Sequence, residues 1–418
     1  MLGNELKALR KRLEYSATDF ANKLGVSRTA LSDWERGITP ISEEREKKIK
    51  QSLGFESTGE RADLHVHVDY LKLTFFDTTV EQVMEHVLGI EPSFFLMEER
   101  AKHNYEYWFQ CGSIVLLSRS DNAQGVLLDL TSEGVLQLED ILAERGLILL
   151  DWLMEVLDPG FFLTEGLYSR VHSTRIDIAI DEMYNENGTN FDLKKLQEKK
   201  VQGLIYSTLT SYKEMKTMKG EEEQGVTLTF GTRGNDRVFI RLYEKRFELA
   251  NKLRLSVEDV LEEYRIFNRF ELELGKEVNP HLFERYLNGE CLADIAIDIL
   301  LSKLEVYEEI ETPTGAERQA FKEWYDIFVH WKKVKISASI DEISIERTMR
   351  WIETQVAPTL LMLKKLVGIK WLLRWLIYCM RNVELTPQKE KQIQFEKLLL
   401  ENRQNKAILY YEKKMEGE

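Results

Sequence analysis

The chain has 418 residues and three cysteines, and its 57 Lys and Arg against 71 Asp and Glu give a formal charge of −14. That length allows two or three domains, and the 43% hydrophobic and 31% charged fractions exclude a disordered or fibrous chain. Cys111, Cys291 and Cys379 stand far apart with no CxxC pair, which argues against a zinc or disulfide scaffold and fits a reducing cytoplasm. The first residues, MLGNELKALRKRLEY, hold no apolar core of the signal-peptide kind. The most apolar run, Leu360–Met380, is interrupted by Lys364, Lys365, Lys370 and Arg374, so we expect a packed amphipathic helix and no membrane insertion. The charge is uneven. Residues 1–55 balance at +3 and residues 364–418 at +5, leaving −22 for the middle. Basic ends on an acidic body suit local contacts with DNA without indiscriminate binding.

Residues 1–55 form the first unit. Leu6, Leu9 and Leu13 recur at helical spacing, and ATDFANKL (Ala17–Leu24) runs into Gly25, where a helix-turn-helix needs a left-handed residue. Ser27 can cap a second helix that stops at Gly37. Leu6, Leu9, Phe20, Ala21, Leu24, Val26, Leu31 and Trp34 supply a small core. The pattern resembles the repressor-type (Xre/Cro-like) helix-turn-helix family. That likeness implies duplex binding, with Ser27, Arg28, Thr29, Ser32, Asp33 and Arg36 facing a major groove.

Glu56–Ala62 (ESTGERA) reads as a polar linker, after which Leu64–Phe76 alternates as a strand. It contains His65-Val66-His67, two imidazoles on one strand face and therefore a possible metal pair. Its place beside the linker favours a partly exposed strand end, and a share in a metal site stays open. Three later stretches each sort into an apolar and a charged face at period two. In STRIDIAID (Ser173–Asp181), Arg175, Asp177, Ala179 and Asp181 oppose Ile176, Ile178 and Ile180. In DRVFIRLYEKRFE (Asp236–Glu248), Phe239, Arg241, Tyr243 and Lys245 oppose Val238, Ile240 and Leu242. In FNRFELELG (Phe267–Gly275), Arg269, Glu271 and Glu273 oppose Phe270, Leu272 and Leu274. The charged loop Lys213–Gly225 between the first two has no apolar period and reads as mobile. If the three strands are neighbours, their charged faces bring Asp177, Glu271, Tyr243 and arginines into one site, where carboxylates left without a neutralising partner would repel and Mg²⁺ or Mn²⁺ would relieve the repulsion. Arg241 and Lys245 beside Tyr243 would ease formation of a phenolate and hold a phosphate.

These motifs, in this order and with VDYLKLTF (Val68–Phe75) ahead of them, resemble the Rep_trans family of rolling-circle initiators and MobT-type relaxases over roughly Asp63–Ile310. The resemblance implies strand nicking and closing through a tyrosyl–DNA link, on an α+β domain with an antiparallel or mixed sheet related to the HUH endonuclease core. Tyr243 in RLYEK matches the nucleophile, with Arg241 and Lys245 beside it. Asp177 and Glu271 stand where the family carries acidic metal-site residues, with Asp181 and Glu273 as further candidates. Members of this family are not expected to use a histidine pair.

From Pro280 nearly everything reads helical, and 311–418 is expected to form a helical C-terminal region. Its Trp324, Trp331, Trp351, Trp371 and Trp375 are core residues at helical spacing, or platforms for single-stranded bases. The expected architecture is therefore multidomain: residues 1–55, a linker at 56–62, a nicking domain at 63–310 and helices thereafter. The expected function is a relaxase nicking one strand at a transfer origin, with a conjugation coupling protein or accessory relaxosome proteins as partners. A rolling-circle plasmid or phage initiator shares the chemistry. A non-enzymatic transcriptional repressor explains residues 1–55 but not the charged strand faces.

Overall fold

The computed structural model describes residues 6–7, 10–11, 15–42, 45, 49, 63–158, 170–219, 222–234, 237–313, 315–329, 349, 352–387, 390–391, 393–394 and 397. Leu9, Leu13, the 56–62 linker, Trp331 and Trp351 lie outside them.

Two helices open the described chain, α1 (Ala17–Lys23) and α2 (Arg28–Glu35). The Ser16 hydroxyl accepts from the Asp19 N–H and the Ser27 hydroxyl from the Ala30 N–H, both at 3.1 Å, so each helix starts on a satisfied cap. Gly25 takes φ +66° between them, the left-handed turn its position predicts.

Among the described residues thirteen strands follow, β1 (Leu64–Phe76), β2 (Leu96–Lys102), β3 (Tyr105–Cys111), β4 (Ile114–Ser118), β5 (Val126–Leu130), β6 (Arg170–Met183), β7 (Ile205–Ser207), β8 (Tyr212–Lys219), β9 (Glu222–Phe230), β10 (Val238–Tyr243), β11 (Ile266–Gly275), β12 (Leu304–Thr312) and β13 (Gly315–Ala320). Ten form one sheet in the order β2-β3-β4-β5-β1-β6-β11-β10-β9-β8, and β13-β12-β7 form a second. The charged strands β6, β11 and β10 are consecutive neighbours, as a shared polar face requires.

The chain divides into two compact units, residues 1–66, 179–272 and 290–336 in one and residues 67–178, 273–289 and 337–418 in the other. In the first, Leu6, Phe20, Ala21, Leu31, Trp34 and Ile49 share a core with Leu204 and Tyr307, so the helix-turn-helix packs on the residues leading into β7 and on β12. The Tyr15 hydroxyl donates to Glu317 of β13 at 3.1 Å. A second core stacks aromatics edge to face: Trp324 lies 5.8 Å from Phe270, 5.7 Å from Phe191 and 5.1 Å from Phe328. In the second unit, Leu71, Leu73 and Phe75 of β1 are buried, and the Trp152 indole donates to the Val87 carbonyl at 3.2 Å.

Two sequence expectations are overturned. Lys213–Gly225 forms most of the β8–β9 hairpin rather than a mobile loop, with register Tyr212↔Phe230 through Lys219↔Glu222. Its side chains are charged because β8 is the sheet's edge strand, where backbone pairing needs no apolar face and lysines block further pairing. Nor is the chain helical throughout after Pro280, since β12 and β13 pair from Tyr307↔Ala320 to Thr312↔Gly315. The alternation in LEVYEEIET and the PTG turn signal after it carry the strand pattern, which a helical period overlooks. Trp324 is fully buried, so it is core and not a base platform. Replacing it with Ala should lower unfolding stability by about 3–5 kcal/mol, measured by denaturant titration.

Candidate active site

Strand β10 ends at Tyr243, and the chain turns at Glu244 into helix α3 (Lys245–Leu253). The turn is tied down, since Glu244 accepts from the Val226 N–H at 2.7 Å. Lys245 therefore opens a helix instead of extending the strand face, although its ammonium still lies 5.7 Å from the Tyr243 ring centre. It pairs with Glu248 at 3.1 Å.

The Arg241 guanidinium lies 4.3 Å from the centre of the Tyr243 ring and donates to Glu271 of β11 at 2.7 Å. Next to Glu271 on its own strand face, Arg269 grips Asp181 of β6 with two bonds, Nε–Oδ1 at 2.6 Å and Nη2–Oδ2 at 2.8 Å. Both side chains are almost wholly buried. The expectation of carboxylates without neutralising partners fails here, because arginines on the same strand faces interleave with the acids. Asp177 and Glu273 follow the same rule, for Arg175 bonds Asp177 at 2.7 and 2.5 Å and reaches Glu273 at 2.9 Å.

Tyr243 itself is buried, at 5% exposure. Burial pushes its hydroxyl well above the ordinary tyrosine value; Glu271 and Glu248 add to the rise, while Arg269 and Arg241 oppose it. The expected easing of phenolate formation is thus reversed in this state. The cations are present, but desolvation of the ring and the acids paired to those cations outweigh them.

His65 and His67, expected at a partly exposed strand end, are buried at 5% and 2%. Their ring nitrogens and a carboxylate oxygen of Asp181 all lie within 4.8 Å of one another. Two imidazoles and a carboxylate are a donor set for a transition-type cation such as Mn²⁺ more than for Mg²⁺, which prefers oxygen alone. Among the four predicted acidic ligands, only Asp181 belongs to this group. The spacing His-x-His carried the signal; its position beside the linker concealed that β1 lies next to β6.

Residues 171–373 match the family described as replication initiation factor (Rep_trans), residues 65–155 the rolling-circle replication initiation protein N-terminal domain, and residues 6–58 a helix-turn-helix family. The chain thus joins a segment similar to Rep_trans replication initiation factors to one similar to the N-terminal domain of rolling-circle initiators, behind a helix-turn-helix. A candidate DNA relaxase of Bacillus subtilis (strain 168), NicK, is 23% identical over 298 residues, which is 71% of this chain and 79% of that one. The rolling-circle replication initiator protein from Geobacillus stearothermophilus has a similar fold, with a TM-score of 0.52 at 17% identity, covering 66% of this chain and 99% of that one.

In the helix-turn-helix, Ser27, Arg28, Thr29, Ser32 and Arg36 are exposed, while Asp33 is half-buried. Arg10 holds Glu35 at 2.6 and 3.0 Å, fixing the second helix from behind. Among the described residues no helix is long and apolar enough to cross a membrane.

Two outcomes follow from the buried charges. Arg269→Ala should cost about 3–5 kcal/mol of stability in denaturant titration, because it strands a buried carboxylate. Tyr243 holds its proton more tightly folded than unfolded, so its contribution is complete below about pH 10 and is lost as pH rises toward the folded value. The unfolding midpoint should therefore fall above about pH 10, and fall less steeply in Tyr243→Phe.

Proposed function

We propose that this protein nicks one strand of DNA at a specific origin by tyrosine transesterification, serving conjugative transfer of a mobile element. The observation that carries the reading is a tyrosine at a strand end, with Arg241 against its ring, in a chain whose matched families are replication initiators. In this reading the Tyr243 oxygen attacks the scissile phosphorus in line. The new phosphotyrosine bond retains the 5′ side, the bond to the 3′ oxygen breaks, and that oxygen leaves as a 3′-OH once protonated. Because the diester bond energy is kept in the phosphotyrosine, closing needs no nucleotide, and the sequence has no GxxxxGK[ST] run.

The tyrosine proton must leave during attack, and burial opposes that departure. Arg241, Arg269 and Lys245 are the cations placed to offset the charge that appears on tyrosine and phosphate. Arg241 has one side taken by Glu271, and its buried Nε makes no hydrogen bond among the described residues, so it retains a donor for a phosphate oxygen. We assign a divalent cation, Mn²⁺ or Mg²⁺, to His65, His67 and Asp181, the group of three such side chains whose ligand atoms lie within 4.8 Å of one another among the described residues; Asp181 would share its carboxylate between the ion and Arg269. When bound, such an ion polarises the non-bridging phosphate oxygens.

Residues 27–36 would read duplex beside the nick through Ser27, Arg28, Thr29, Ser32, Asp33 and Arg36, in the cytoplasm where the DNA is. Accessory relaxosome proteins or a coupling protein would be its partners in transfer. The B. subtilis relative, named for DNA relaxase activity, supports the relaxase reading. Rolling-circle replication is the second reading, favoured by the initiator fold, and it uses the same residues.

Incubated with Mn²⁺ and a labelled origin strand, the native chain should form a covalent protein–DNA band on a denaturing gel, and Tyr243→Phe should form none. Adduct at native level from Tyr243→Phe would sink the assignment. His65→Ala with His67→Ala should raise the Mn²⁺ concentration needed for half-maximal nicking by about 10-fold or more.

A further inference from the structure

Two helices near the end of the described chain are left largely uncovered. Helix α4 (Ala357–Val367) breaks at Gly368, at φ +79°, and α5 (Ile369–Arg381) follows. The expected single packed helix is thus a broken pair, and against the described residues only Leu372 of α5 is buried. From Ala357 to Val383 there are five Lys and Arg and no Asp or Glu, within a chain of net charge −14.

The face of α5 is ordered. At about 100° per residue, Lys370, Arg374 and Arg381 fall within about 40° of one another, and Trp371, Trp375 and Tyr378 form the adjoining stripe. Those three aromatics are 52%, 39% and 65% exposed. The two indoles stack on each other, with ring centres 6.2 Å apart and 12° between planes. Leu372, Leu376 and Cys379 form the next stripe around, and these are the buried or half-buried positions. Aromatic rings at steps of one helical turn beside a row of cations are what a single strand of nucleic acid requires: π faces for bases and charges for phosphates. The remaining exposed side chains of α5, Ile369, Leu373, Ile377 and Met380, are aliphatic and continue around the helix to the cations, so attachment to an anionic lipid surface is the competing outcome that the test below separates.

We propose that α5 is a single-stranded DNA-binding surface, in which Trp371, Trp375 and Tyr378 stack on bases and Lys370, Arg374 and Arg381 contact the phosphates. It rests on the nicking reading only in its role, since a nicked origin exposes the single strand that this face would hold. Binding can be measured without nicking. The surface differs from the helix-turn-helix in taking unpaired bases without regard to sequence.

The test uses the full chain without divalent cation, labelled oligothymidylate, and fluorescence anisotropy across a salt series. The native chain should bind, and Trp371→Ala with Trp375→Ala should weaken binding at least tenfold, while Trp371→Phe with Trp375→Phe retains most of it. Replacing Lys370, Arg374 and Arg381 with Ala should flatten the slope of log affinity against log salt by about two, at roughly 0.7 per phosphate contact. Duplex binding by the helix-turn-helix should be unchanged in all three. Equal oligothymidylate affinity in native and Trp→Ala chains would overturn the proposal. So would loss of self-association by light scattering, or loss of anionic vesicle binding, in a Trp→Ala chain whose single-strand affinity is intact. Absence of any tyrosyl adduct alongside normal oligothymidylate binding would strike the nicking reading and leave this surface standing.

Discussion

The Arg269–Asp181 pair is the contact on which the polar face of the sheet depends. A carboxylate and a guanidinium removed from water each cost several kcal/mol, and only close bidentate geometry offsets that cost. Here the two bonds join β11 to β6 across the strand boundary, one residue from Phe270, whose ring packs on Trp324 at 5.8 Å. The same short segment therefore anchors an apolar core on one side and a buried charge lattice on the other. The lattice repeats along the face: Arg241 with Glu271, then Arg175 with Asp177 and Glu273. Each of these acids has its guanidinium partner within the sheet.

That lattice governs the tyrosine. A phenol beside Arg241 and Lys245 would ordinarily ionise more easily, yet Tyr243 is shifted the other way because it is buried and its neighbouring cations are already neutralised. Its proton is retained until the surroundings change. In the reaction proposed above, an incoming phosphate that draws Arg241 away from Glu271 would shift that balance toward ionisation of Tyr243.

The helix-turn-helix shares its core with Leu204 and Tyr307, and Tyr15 is bonded to Glu317. It is therefore packed on the unit that carries Tyr243. The residues proposed to read duplex lie away from the buried side of α2, which is taken by Leu31 and Trp34.

Local pattern alone determined a great deal. Gly25 and Ser27 specify the turn and cap of the helix-turn-helix, since a left-handed backbone and an N-cap oxygen are needs of a few adjacent residues. Period-two alternation sorted Asp177, Asp181, Arg241, Tyr243, Arg269 and Glu271 onto polar strand faces, because side-chain direction in a strand is a matter of parity. What parity cannot state is which strand lies beside which, or how deep a face is buried. Only the tertiary structure matched Arg269 to Asp181, brought His65 and His67 to the same carboxylate, sank Tyr243 out of water and made a sheet edge of the charged run after Tyr212. Each of these depends on residues far apart in the chain, and on a desolvation that no single stretch of sequence experiences by itself.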